Sequence, residues 1–212
     1  MAEWSWAVLL SSILLGIFAL SNYLHDLTGN FVISRKCAHF GAGAVILPFP
    51  LVFEGMLYPV LLPALFLLGL YIGHRTELFH GFVRKARIAE LGFAAGVLVS
   101  MAVAWRIDPW LATVPVMFMS MGDGSTGLVR WLHHRGQAGF RKYWCGTIAM
   151  GIICLPFSFL ISPYWIGLVG AAAATAVEKV CGDVSIINID DNLTVPLVSL
   201  AVMVPLYVFF GG

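Results

Sequence analysis

The sequence predicts an all-α protein, a polytopic bundle of about eight transmembrane helices. Of its 212 residues, 60% are hydrophobic and only 11% are charged, whereas about 25% are charged in a typical soluble domain. The mean hydropathy is +0.91. The apolar residues gather into eight segments separated by short polar connections, with no internal repeat and no linker. We therefore expect residues 1–212 to form a single integral membrane domain.

The eight apolar segments approach the ~20 residues that a helix needs to cross a bilayer. They are residues 4–24, 36–53, 57–73, 89–105, 110–131, 146–161, 164–181 and 193–210. Tryptophans are enriched at membrane–water interfaces, and all seven lie near predicted segment ends. These are Trp4, Trp6, Trp105, Trp110, Trp131, Trp144 and Trp165.

The basic residues predict how the segments are oriented. Eleven of the twelve Lys and Arg residues fall in alternate connections, around residues 25–36, 74–88, 130–145 and 179–192. Only Arg106 lies in one of the intervening connections. Because basic residues are concentrated on the cytoplasmic side, we expect these four connections to be cytoplasmic and both termini to be non-cytoplasmic. The chain has no basic tail or aromatic-interleaved basic patch, so no nucleic-acid partner is predicted.

A basic motif opens the second segment. Arg35 and His39 are four residues apart and Lys36 and His39 are three apart, so the three side chains converge on one face of a helix. They are candidate catalytic residues. The alternative is two cations that extend to the membrane surface, beside a histidine bonded to a backbone carbonyl.

An acid lies inside the apolar fifth segment. Asp123 stands among Gly122, Gly124 and Gly127, and Arg130 follows two helical turns later on the same face. A carboxylate in the bilayer centre costs ~2.5–3.5 kcal/mol, so it needs a partner or a function. An acid and a base that flank glycines suit a metal-bound phosphate. The alternative is a close helix-packing face that contains an Asp123–Arg130 ion pair.

Further cations and a glycine precede the sixth segment. Arg141 and Lys142 are followed by Gly146 at the start of a predicted helix. A helix N-terminus offers free N–H groups and partial positive charge to an anion. We interpret this stretch as a phosphate-binding region. The alternative is a basic membrane border with a tryptophan anchor.

Acids also occur at the end of the seventh segment and the start of the eighth. Glu178, Asp191 and Asn192 are expected at the same membrane face as Asp123. Carboxylate oxygens suit Mg²⁺, so Asp123, Asp191 and Glu178 are the candidate metal ligands. Asp191 or Asn192 alternatively serves only as a helix N-cap.

Together these motifs resemble the CTP-dependent polyprenol kinase family, which includes dolichol kinases and phytol kinases. The resemblance runs from about residue 35 to residue 196. The positions that carry it are Arg35, Lys36 and His39, then Gly122 and Asp123, then Lys142 and Gly146, and finally Asp191, Asn192 and Pro196. Tyr143 and Cys145 stand where the family usually has Ser or Thr and Glu, and Arg130 stands where many members have Gly.

The resemblance implies phosphorylation of a long-chain isoprenoid alcohol at the cytoplasmic face, with CTP as phosphoryl donor and Mg²⁺ as cofactor. Arg35 and Lys36 then hold the γ-phosphate, and His39 or Asp123 takes the hydroxyl proton. The expected nucleotide-binding residues are Gly122, Gly124, Gly127, Arg130, Arg141, Lys142, Gly146 and Asn192. The expected partners are the lipid alcohol, CTP and membrane lipids, and the oligomeric state stays open.

Two other functions remain as alternatives at this point. Lipid-phosphate cytidylyltransferases resemble the same family in topology and in using CTP. An ion-coupled transporter would use Asp123 and Glu178 to bind protons or sodium. Transporters often contain inverted repeats, and we detect none in the sequence.

Overall fold

A computed structural model describes residues 2–76, 78, 80, 89–133, 144–181 and 191–211. Throughout this part of the chain the regular structure is helical, and it contains no strand. The helices are α1 (Glu3–Thr28), α2 (Phe31–Ile46), α3 (Phe49–Val52), α4 (Leu57–Thr76), α5 (Ala89–Ala104), α6 (Pro109–Met117), α7 (Gly124–His133), α8 (Trp144–Ser158), α9 (Tyr164–Cys181) and α10 (Asp191–Phe210). The predicted all-α class is confirmed.

The helices group into eight segments within the described residues. A π-helical segment, Phe118–Asp123, joins α6 and α7 into one continuous helix. The four-residue α3 follows α2 after a break at Pro48. Each of the eight groups overlaps one apolar segment predicted from the sequence. The seventh predicted segment has the same bounds as α9.

Three helices, α1, α4 and α10, are long and apolar enough to cross a membrane. Two shorter helices, α5 and α8, are also apolar. The outer surface carries large apolar side chains such as Leu15, Leu65 and Phe209, which are more than half exposed. Large exposed apolar patches mark interaction or membrane surfaces. The length, composition and surface of the helices are therefore compatible with a membrane protein.

The start of the second helical segment differs from the prediction. We expected a polar connection up to residue 36, but α2 begins at Phe31. Gly29 adopts a left-handed conformation (φ 63°) and its N–H donates to His25 O, which ends α1. Asn30 then caps α2, since its side chain accepts hydrogen bonds from the N–H groups of Val32 and Ile33. This two-residue turn places the basic motif one turn inside the helix.

Two side-chain contacts define one end of the bundle. The Glu3 carboxylate accepts hydrogen bonds from the backbone N–H groups of Glu54 (2.6 Å) and Gly55 (3.0 Å). Tyr207 donates a hydrogen bond of 3.0 Å to Asp108. The start of α1 therefore lies beside the α3–α4 connection, and the end of α10 lies beside the α5–α6 connection.

The helix made of α6 and the π-helical segment runs through the centre of the bundle. Every residue from Leu111 to Ser120 is buried, and α6 contacts α5 and α10 while the π-helical segment contacts α8 and α10. A helix that is apolar on all sides is a central one. Asp123 is the last residue of the π-helical segment, so this placement puts its carboxylate inside the protein.

Candidate functional site

Asp123 lies against the basic motif of α2. Its Oδ2 is 3.6 Å from Lys36 Nζ and 3.9 Å from His39 Nε2. Lys36 Nζ also donates a hydrogen bond of 3.2 Å to the Asp123 backbone carbonyl. Asp123 is 7% exposed and His39 is 8% exposed. The structure thus brings together two motifs, 84 or more positions apart in the chain, that were predicted to share one site.

The π-helical segment sets the position of this carboxylate. Such segments leave backbone groups outside the regular α-helical pattern and often occur at functional sites. Pro115 lies just before the segment and has no N–H to donate. Thr126 Oγ1 donates to the Asp123 carbonyl (2.8 Å) and lies 3.2 Å from Asp123 Oδ1. This contact steadies both the backbone and the side chain of Asp123.

Arg130 forms a buried ion pair with Glu178. Its NH1 and NH2 donate to the two carboxylate oxygens at 2.9 and 3.1 Å, and the two side chains are 7% and 0% exposed. Two parallel bonds of this type are the strong form of an Arg–carboxylate contact. The pair connects α7 to α9. The alternative drawn from the sequence had paired Arg130 with Asp123.

Three carboxylates approach one another at this end of the bundle. Ligand oxygens of Asp123, Glu178 and Asp191 lie within 4.8 Å of one another. Opposite ligands of an octahedral Mg²⁺ are ~4.2 Å apart, so small side-chain movements bring the three oxygens into range. Asp123 and Glu178 are buried, and Asp191 is half-buried. The donor set therefore fits the divalent cation for which these three residues were predicted.

Two glycines give room to the cations of the site. A Cβ on Gly127 would lie 2.6 Å from Lys36 Nζ and in contact with its Cε. A Cβ on Gly146 would lie 2.9 Å from Arg130 Cζ and against its Nε. Lys36 and Arg130 therefore cross their neighbouring helices at positions where any larger residue would displace them. Gly146 was the predicted start of this helix, and the structure places it as the third residue of α8, which begins at Trp144.

The other two glycines of the fifth segment pack against neighbouring helices. A Cβ on Gly122 would lie 2.7 Å from Cys154 Sγ, and one on Gly124 would lie 2.9 Å from the Phe40 ring. Contacts with side chains of α8 and α2 account for the absence of a side chain at both positions. A direct role of these two glycines in nucleotide binding stays a prediction.

A second group of polar residues lines a small cavity beside His39. Arg35 Nε lies 3.1 Å from Glu90 Oε1, and these two residues border a space of about 20 Å³ with His39 and Asn192. Such a volume admits about one water-sized group. The sequence predicted Arg35, His39 and Asn192 as site residues but missed Glu90 and Thr126. A charge in the first turn of an apolar helix was the available signal for Glu90.

His39 carries an available nitrogen within this site. Its ring packs edge-on against Phe93, with centroids 4.6 Å apart. Its Nε2 is buried and makes no hydrogen bond to the described residues. A buried polar atom without such a bond is uncommon and calls for an explanation.

The predicted phosphate-binding residues Arg141 and Lys142 lie outside the described residues.

We compared the chain with family models, with curated proteins and with solved structures, and none of them matches it.

Proposed function

We propose that this protein is a Mg²⁺-dependent membrane kinase that transfers the γ-phosphoryl group of CTP to a long-chain isoprenoid alcohol. The observation that carries the proposal is the convergence of three carboxylates, two cations and one histidine at a single end of the bundle. Phosphoryl transfer requires mainly positioning and neutralisation of phosphate charge. Acids for the metal, cations for the phosphates and a proton acceptor meet that requirement.

The proposal includes the membrane arrangement. We infer eight membrane-spanning segments with both termini on the non-cytoplasmic side, because eleven of the twelve basic residues belong to alternate connections. The Glu3 and Tyr207 contacts support this arrangement, since they group the termini with the predicted non-cytoplasmic connections. The site lies at the opposite end, where CTP arrives from the cytoplasm.

In this proposal Asp123, Glu178 and Asp191 hold Mg²⁺, which neutralises phosphate charge when bound. Lys36 and Arg130 contact two of these carboxylates and would bind phosphate oxygens beside the cation. Arg130 Nε is buried and donates no hydrogen bond to a described residue, so it offers a donor to an oxyanion. Arg141 and Lys142 extend the phosphate-binding surface by the family resemblance.

His39 is the proposed proton acceptor. Its buried Nε2 lies beside Asp123 and borders the small cavity, which has room for a hydroxyl group. In the reaction, Nε2 accepts the hydroxyl proton while the alcohol oxygen forms a bond to the γ-phosphorus. The bond from that phosphorus to the β–γ bridging oxygen breaks, and CDP leaves. General base catalysis of this kind typically contributes about 10²- to 10⁴-fold to the rate.

Position-specific labelling of CTP tests the proposal. Purified protein in lipid nanodiscs is incubated with Mg²⁺, geranylgeraniol and CTP that carries label in either the γ- or the α-phosphate. A kinase transfers only the γ-label to the lipid. Transfer of the α-label to a lipid phosphate acceptor would establish the cytidylyltransferase alternative, and transfer of neither label would reject both enzymes. The same assay with Asp123→Asn tests the proposed site. Asp108→Asn is its control, because it changes an acid at the opposite end of the same helix.

A further inference from the structure

An apolar groove runs between α1 and α4. It has a volume of about 240 Å³ and is lined by α1, α2, α3, α4 and α5, with side chains such as Leu14, Val45, Phe49 and Phe66. An engineered cavity of ~150 Å³ with a similar apolar lining stays dry and admits benzene. The groove therefore has room for a segment of hydrocarbon chain, but not for a whole polyprenol.

The groove is open on the outer surface of the bundle. Leu15 of α1 and Leu65 of α4 both line it, and they are 61% and 54% exposed. α1 packs mainly on α2, and α4 packs mainly on α5, so the two outer helices leave a seam between them. Both are long enough to cross a membrane. A chain in the groove can thus pass sideways into the hydrocarbon of the bilayer.

The inner end of the groove adjoins the small cavity beside His39. The small cavity beside His39 shares Phe18, Ala42, Phe66 and Phe93 with the groove. The Phe93 ring contacts the His39 imidazole, and Phe18 stacks on Phe66 with centroids 5.2 Å apart. One set of aromatic side chains therefore borders both spaces. A polar group at the inner end of the groove would therefore lie near His39.

The sizes of the two spaces indicate the chemistry of the occupant. The polar end has about 20 Å³, which suits one hydroxyl group and is too small for a glycerol head group. Cations and carboxylates border that end, whereas the groove is almost entirely apolar. This arrangement fits an alcohol with one chain better than diacylglycerol, which has two.

The length of the groove limits how much of the chain is recognised. Along α2 the lining of the two spaces runs from His39 to Ile46, a rise of ~10 Å for seven residues. This is about a third of the ~30 Å hydrocarbon core. Beyond the groove the chain lies in lipid, where each added unit has the same surroundings with or without the protein.

We infer that the groove between α1 and α4 binds the hydroxyl-proximal part of a single-chain lipid alcohol and leaves the rest of the chain in the bilayer. This inference rests on the proposed function, because it supplies the acceptor for the same site. Recognition should improve with chain length only until the groove is filled. Farnesol, geranylgeraniol and longer polyprenols should then compete almost equally, whereas diacylglycerol should not compete.

Two glycines provide a matched pair of variants. Gly69 lines the groove on α4 and has no atom within 4 Å of a Cβ placed on it. Gly69→Phe should therefore place its ring in the groove, since its Cβ meets no neighbouring atom. Gly16 on α1 is also free of neighbours within 4 Å but is exposed and does not line the groove. Gly16→Phe is the control, and Gly69→Leu is a smaller second variant in case Gly69→Phe does not fold.

The test uses photolabelling, which requires neither CTP nor turnover. A geranylgeraniol analogue with a diazirine two isoprene units from the hydroxyl is added to the protein in nanodiscs, and labelled peptides are identified by mass spectrometry. We expect label on α1 and α4 that geranylgeraniol displaces. Gly69→Phe should reduce it about tenfold or more, within the range by which pockets discriminate hydrocarbon shape, and Gly16→Phe should leave it unchanged.

The outcomes separate this inference from the kinase proposal. Specific label in the groove without phosphorylation would leave the groove as a lipid-alcohol site and reject the kinase. Phosphorylation with label elsewhere, such as between α8 and α9, or with no effect of either Gly69 variant, would overturn the groove alone. Displacement of the label by diacylglycerol as well as by geranylgeraniol would overturn the single-chain inference.

Discussion

The Arg130 guanidinium donates two hydrogen bonds, of 2.9 and 3.1 Å, to the two oxygens of the Glu178 carboxylate inside the bundle. The residues are 48 positions apart and join α7 to α9. A buried ion pair contributes little net stability compared with an apolar replacement, but the loss of one partner leaves an uncompensated charge. This asymmetry can be measured directly.

Glu178→Gln should lower the free energy of unfolding by about 3–5 kcal/mol, because it leaves Arg130 buried without its counter-charge. Adding Arg130→Gln should restore most of that loss. Equilibrium unfolding in mixed micelles gives both values and completes a double-mutant cycle. Glu54→Gln, at an exposed position, is the control. An equal loss from the double variant and from Glu178→Gln alone would show that the pair is not the origin of the effect.

The sequence predicted the helical segments well because long apolar runs between short polar connections mark helices whether they pack in the centre or on the outer surface. It also predicted the members of the acidic cluster, since the alternation of the connections places Asp123, Glu178 and Asp191 at one end of the bundle. The pairing within the cluster needed the tertiary structure. Which base meets which acid depends on the distance between α7 and α9, and no local pattern encodes that distance. The Arg35–Glu90 contact was missed for the same reason.

The predicted start of α2 was too late, because the two residues that define it, Gly29 and Asn30, also suit a polar connection. Gly29 is the C-cap of α1 and Asn30 is the N-cap of α2. Both residue types are also common in loops. Their combination makes a tight turn between two long helices. The lengths of the first two apolar segments alone did not contain this information.

Gly146→Ala should disturb the Arg130–Glu178 pair. The added Cβ would occupy the space beside Arg130 Nε and Cζ, and the guanidinium is held in place by Glu178. Overpacking of this kind costs about 1–3 kcal/mol. Gly151→Ala lies in the same helix with no atom within 4 Å, so it should be neutral or stabilising by up to about 1 kcal/mol. Thermal unfolding of the two variants provides the comparison, and equal midpoints would contradict the close approach.

His39→Asn should lower kcat by about 10²- to 10⁴-fold, the usual contribution of a general base. The affinity for CTP should change little, because the imidazole faces the small cavity and Asp123. Single-turnover phosphorylation separates this effect from product release. His74→Asn is the control, since His74 lies near the end of α4. A large fall in CTP affinity with unchanged kcat would move His39 from the proton-transfer step to nucleotide binding.

The proposed membrane orientation predicts opposite reactivity of two exposed positions. Glu54 and His133 are both exposed and lie in the connections expected on opposite sides. In a background with the four cysteines replaced by alanine, Glu54→Cys should react with an impermeant maleimide from outside intact cells. His133→Cys should react only after the membrane is opened. The reverse pattern would invert the orientation and put the site outside the cytoplasm.

Asp123→Asn should abolish turnover while the protein stays folded. The amide has the shape of the carboxylate, and its oxygen can still accept the Thr126 hydroxyl that lies 3.2 Å from Asp123 Oδ1. The charge that a divalent cation requires is lost. Mg²⁺ with CTP should raise the unfolding midpoint of the unaltered protein by mass action, and it should raise that of Asp123→Asn little or not at all.

Asp108→Asn should keep both the turnover and the ligand-induced rise, because its side chain caps α6 and asparagine is an equally good N-cap. If Asp123→Asn is well folded and fully active, the carboxylate does not serve as a metal ligand. If it is inactive but shows the full rise with Mg²⁺ and CTP, Asp123 acts after ligand binding, and Glu178 and Asp191 hold the cation without it.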